Sequence, residues 1–89
     1  MNDLFQLAPH YRLQWEPAQA SHVLLFPEGM VELSDTAAAI LEACREAVPL
    51  DRLIAAIEAQ YEGVDVADDV REFLNEAVAE RWVTVQRGG

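Results

Sequence analysis

His22-Val23-Leu24-Leu25-Phe26-Pro27-Glu28-Gly29-Met30-Val31-Glu32-Leu33 is the stretch that decides the fold. His22–Phe26 reads as a continuous apolar run of strand length, the pattern of a central strand. Pro27-Glu28-Gly29 reads as a turn, with Gly29 available for a positive φ. Met30–Leu33 then resumes as a short third strand. Upstream, Tyr11-Arg12-Leu13-Gln14-Trp15-Glu16 alternates apolar and polar side chains, the period of a half-buried strand. Pro17-Ala18-Gln19-Ala20-Ser21 turns the chain between the first two. Two tight connections predict an antiparallel meander of three strands.

The pattern changes after Leu33. Ser34 is a suitable N-cap, and Ala37, Ile40, Leu41, Cys44 and Val48 recur on one helical stripe. Pro49 suits the first turn of a second helix, whose stripe is Leu50, Leu53, Ile54, Ile57 and Tyr61. Gly63 is the expected stop. Asp65 is placed to cap a third helix with the stripe Val66, Val70, Phe73, Leu74 and Ala77. Trp82–Val85 reads as a short apolar tail able to dock on the body. The predicted class is α+β and winged-helix-like: an N-terminal three-stranded antiparallel sheet followed by a three-helix bundle. Residues 1–89 are expected to form a single domain, with 1–8 and 86–89 flexible.

Charge narrows the partners. The chain has 89 residues with sixteen acids, six Arg and no Lys, for a net charge of −10. Residues 1–33 carry −3 of this and residues 34–89 carry −7. Such a surface is repelled by nucleic-acid backbone and anionic membrane, and favours basic partners. The third helix alone bears Asp68, Asp69, Glu72, Glu76 and Glu80, with Asp65 at its cap, against Arg71 and Arg81. That weighs against the rival reading, a winged-helix DNA-binding regulator. A single cysteine rules out an internal disulfide, and neither a basic N-terminal signal nor a long apolar run occurs. A cytoplasmic location is expected.

No catalytic constellation stands out. Cys44 lies on an apolar stripe and reads as a buried structural thiol. His10 and His22 have no Cys or His at ligand spacing and read as surface histidines. Glu72, Glu76 and Glu80 share one helix face but lack the Glu-x-x-His partners of a di-metal bundle. The two serines, Ser21 and Ser34, do not fit the Asp-Ser-Leu site of an acyl carrier. The Gly88-Gly89 ending resembles ubiquitin-like sulfur carriers, whose fold needs strands where this chain reads as helix. An open sheet edge remains. Met30–Leu33 is an edge strand, suited to an extended peptide or to a second copy of the chain.

The residues also match a family pattern. Arg12–Glu16, Val23–Val31 with its Leu-Leu-Phe-Pro-Glu-Gly core, Leu33–Leu41 and Asp69-Val70-x-x-Phe73-Leu74 together resemble the PqqD family of pyrroloquinoline quinone (PQQ) biosynthesis. The resemblance spans roughly residues 9–83. It implies a precursor-peptide recognition element: a non-catalytic chaperone without cofactor or metal. Such a protein binds the precursor peptide and presents it to a radical S-adenosylmethionine enzyme. In related elements the leader lies as an added strand beside the third strand, against the third helix. By position, this implies Met30, Val31, Glu32 and Leu33 on the strand, with Val70, Phe73, Leu74 and Ala77 across a cleft. Val31→Pro is the expected way to break the edge pairing. Two positions depart from the family. Glu80-Arg81-Trp82 stands where the third helix often ends in Gly, which suggests a differently placed helix end. Glu32 stands where a basic residue is common.

Overall fold

A computed structural model of the chain describes residues 3–61 and 65–88. In chain order it holds β1 (Leu4–Leu7), β2 (Arg12–Glu16), β3 (Ser21–Phe26), β4 (Gly29–Leu33), α1 (Asp35–Ala43), β5 (Val48–Pro49), α2 (Leu50–Gln60), α3 (Ala67–Ala79) and β6 (Val83–Gln86). The meander forms as its alternation requires, with strand order β2-β3-β4 and both pairs antiparallel. Leu13, Leu24 and Val31 stand opposite one another across its three strands. That row faces α1, which lies across the meander. Behind it, Ile40, Leu41, Leu53, Ile57 and Val70 fill the core and are almost fully buried.

The turns and caps follow local chemistry. Pro27 occupies the first position of the two-residue β3–β4 connection, where a fixed negative φ excludes the usual primed hairpin turns. Gly29 supplies the compensating positive φ, at 154°. Ser34 caps α1 by accepting from the Ala37 amide at 3.1 Å. Asp65 is not the expected cap of α3: Val66 holds the N-cap position without a side-chain bond, and Asp65, one residue earlier, accepts from the Ala67 amide at 3.2 Å in a local turn. The expected stop at Gly63 lies outside the described residues.

α3 ends without a glycine. Arg81 itself takes a left-handed φ of 67°. Its amide donates to the Val78 carbonyl at 3.1 Å, and the Trp82 amide donates to Ala77 at 2.8 Å. This pair of bonds is the Schellman arrangement that Gly usually serves. The helix end is therefore conventional in geometry, and Arg81 bears the backbone strain.

A second sheet departs from the sequence expectation. Its order is β5-β1-β6, with β1 antiparallel to both neighbours. Within the ends expected to be flexible, Leu4–Leu7 instead pair with Val83–Gln86, and Asp3 accepts from Arg87 and from the Gly88 amide, both at 3.2 Å, while residues 1–2 and 89 lie outside the described residues. The Trp82–Val85 tail docks on the body as this strand. α1 is also shorter than its stripe, because Val48 leaves the helix and pairs with Phe5. Cys44 closes α1, and its carbonyl accepts from the Leu7 amide at 2.8 Å. The core is thus flanked by two small sheets rather than one.

Candidate functional site

The two free edges of the meander are β2 and β4, and backbone direction distinguishes them. In an antiparallel ladder, a residue's N–H and C=O both point to the same side, alternating along the strand. The Leu13 carbonyl accepts from Arg45 Nη2 at 3.3 Å, so Leu13 points away from β3. Arg12, Gln14 and Glu16 therefore exchange bonds with Leu25, Val23 and Ser21. This leaves His22, Leu24 and Phe26 to bond with Leu33, Val31 and Gly29. On β4, the outward backbone groups are then those of Met30 and Glu32. Both side chains are exposed, Met30 at 52%. Among the described residues, no side chain bonds to these groups.

The expected strand residues thus divide into two kinds. Met30 and Glu32 offer free main-chain donors and acceptors. Val31 and Leu33 spend theirs on β3 and turn their side chains toward the core, Val31 half-buried and Leu33 buried. Val31→Pro would therefore break the β3–β4 hairpin itself, not the open edge. The residues expected on α3 divide more sharply. Val70, Leu74 and Ala77 are buried and serve the core. Phe73 is half-buried and packs against Trp82 with ring centres 6.4 Å apart. It lines a shallow cleft of about 230 Å³ with Asp69, Glu72 and Glu76. β4 packs chiefly on β3 and α1, whereas α3 packs chiefly on β6 and α2. The structure thus leaves Met30, Glu32 and Phe73 accessible, with Val31 partly so.

The remaining candidates have structural roles. Cys44 is fully buried, and desolvation raises its thiol pKa to about 12. Such a thiol is inert near neutral pH. His22 is not a free surface histidine as expected. Its ring lies edge-on to Trp15 at 5.0 Å, and its Nδ1 is buried with no hydrogen-bond partner among the described residues. His10 is exposed and adopts a left-handed φ of 72°. The exposed face of α3 carries Asp68, Asp69, Glu72, Glu76 and Glu80, a surface that repels phosphate backbone. No helix is long and apolar enough to cross a membrane among the described residues.

Arg45 is the residue that sequence reasoning missed. It lies just past α1, outside every apolar stripe, and no local motif marks its reach to Leu13, thirty-two positions upstream.

Fold and edge together define a class, a small α+β module whose meander has, at β4, an edge with outward backbone groups that no described side chain bonds. The chain belongs to the PqqD family: the family described as "Coenzyme PQQ synthesis protein D (PqqD)" matches residues 21–83. A Methylococcus capsulatus protein named "PqqA binding protein" is 44% identical over 80 residues, covering 90% of this chain and 86% of that one. A Klebsiella pneumoniae protein of the same name is 49% identical over 75 residues, covering 83% and 82%. The fold is similar to the solution structure of the PqqD truncation of Methylobacterium extorquens PqqCD, itself described as a stand-alone RiPP recognition element. That likeness has a TM-score of 0.76 at 22% identity, over 91% of this chain and 88% of the other.

Proposed function

We propose that this chain is a peptide chaperone of PQQ biosynthesis that takes the PqqA precursor peptide as an added strand on β4. The observation that carries this reading is the pair of outward-facing residues, Met30 and Glu32, on an edge that no side chain blocks among the described residues. Relatives covering most of the chain are named for binding PqqA, which supplies the occupant. The domain has no catalytic step of its own in this reading. It works in the cytoplasm and presents the bound peptide to a radical S-adenosylmethionine enzyme. The acidic face of α3 is the flank that favours a basic surface on peptide or enzyme.

Glu32→Pro tests the edge directly. Proline removes one outward N–H at a position where edge strands tolerate it, and leaves the β3–β4 bonds in place. A hydrogen bond contributes about 0.5–1.5 kcal/mol net, so affinity for a synthetic PqqA peptide falls roughly two- to tenfold. Titration calorimetry measures this, with circular dichroism confirming the fold. Unchanged affinity in the folded variant would place the peptide elsewhere.

A further inference from the structure

The two meander edges are chemically equivalent in backbone, yet only one is obstructed. Along β2, the residues pointing outward are Leu13 and Trp15, by the same alternation that assigns Met30 and Glu32 on β4. The Arg45 guanidinium sits on Leu13. Its Nη2 donates to the Leu13 carbonyl at 3.3 Å. Its Nε donates to Glu42 Oε1 at 2.8 Å, which fixes the side chain from the far end. An incoming strand would run about 4.8 Å from β2 and place an N–H where Nη2 already lies. The Arg45 side chain remains about half exposed, so nothing in core packing requires this pose.

We infer that Arg45 is a positioning residue that makes strand addition one-sided. Anchored by Glu42, it occupies the Leu13 carbonyl and denies the β2 edge to a peptide or to a second copy of this chain. The peptide is thereby directed to β4. The inference rests on the edge-binding reading for the peptide, but its consequence for self-association does not. Charged side chains commonly blunt free sheet edges, and among the described residues the one that bonds an outward backbone group of the meander does so on β2, not on β4.

The test compares wild type, Arg45→Met and Arg45→Lys. Met keeps the aliphatic stem without the donor, while Lys keeps a cationic donor. Backbone amide shifts are followed during titration with synthetic PqqA peptide, and sedimentation measures self-association without it. In wild type, Met30 and Glu32 amides move, Leu13 and Trp15 amides stay still, and one peptide binds. In Arg45→Met, Leu13 and Trp15 also move, the stoichiometry rises above one, and concentration-dependent association appears. Arg45→Lys restores wild-type behaviour, and melting temperatures of all three agree closely. An Arg45→Met chain that binds one peptide on β4 alone and associates no more than wild type overturns the inference. Movement of the β2 amides in wild type also overturns it. A wild type that binds no peptide defeats the edge-binding reading separately, and self-association of Arg45→Met then decides the role of Arg45.

Discussion

β2 and β4 flank the same central strand, share the same core beneath them and expose the same kind of backbone groups, yet they are left in opposite states. β2 is covered at Leu13 by a side chain from beyond α1. β4 keeps the groups of Met30 and Glu32 unbonded to any described side chain. A free sheet edge is a liability for a soluble protein, so covering one edge and sparing the other is informative. The spared edge is the one to which the proposed function assigns the peptide. The contrast also shows that exposure of side chains is a poor guide here. The exposed Trp15 of β2 and Met30 of β4 look alike at 49% and 52%, and what separates the strands is the direction and occupancy of main-chain groups.

The comparison can be broken most completely from below. Leu24 is fully buried, and its row joins Leu13 of β2 to Val31 of β4. Leu24→Ala leaves a cavity under both edges and costs about 2–5 kcal/mol, a large share of the stability of a domain this size. Urea denaturation should show that loss, with amide protection falling on β2 and β4 together. Loss on one strand alone would show that the edges are not mechanically joined.

Gly29→Ala acts on one edge. A Cβ at Gly29 would meet nothing within 4 Å, so the cost is purely conformational. Holding alanine at a φ of 154° costs about 1–3 kcal/mol. Hydrogen exchange should rise at the β3–β4 hairpin while Arg12–Leu25 pairing persists. Equal loosening of both hairpins would contradict the separation.

The smallest effect concerns the base from which Arg45 reaches. Cys44 precedes it at the end of α1, with its thiol pKa raised from 9.0 to about 12 by burial. Above about pH 9 the unfolded thiol ionises while the folded one stays protonated, so folding stability falls as pH climbs toward 12. Cys44→Ala should lose that component of alkaline destabilisation, as denaturation on either side of pH 9 would measure. The wild-type thiol should also resist alkylation at neutral pH until the chain unfolds. Rapid labelling of the native protein would show that the end of α1, and Arg45 with it, opens readily.

Much of this was legible in residues. The alternation in Tyr11–Glu16 and the Pro27–Gly29 turn specify the meander. Ser34 marks a helix start and forms as its cap, whereas Asp65 falls one residue short of the α3 N-cap, Val66. The second sheet was not legible. β1 and β6 are four residues each and pair across nearly the whole chain, and β5 is only two residues long. No local period reveals partners so distant. The α3 stripe is apolar in the sequence, but a stripe does not say which of its members meet solvent. Burial assigns Val70, Leu74 and Ala77 to the core and leaves Phe73 at the surface.

By itself the sequence determined the class of fold, the acidic character of the third helix, the identity of the candidate edge strand and, through the Leu-Leu-Phe-Pro-Glu-Gly stretch, the family. These depend on local patterning and composition, which a single chain displays directly. Only the tertiary structure decided that Met30 and Glu32, not Val31 and Leu33, hold out free backbone groups, and that Arg45 closes the opposite edge. The direction of a peptide group depends on which neighbour takes the adjacent one, and a guanidinium finds a carbonyl thirty-two residues away only after α1 has packed across the sheet.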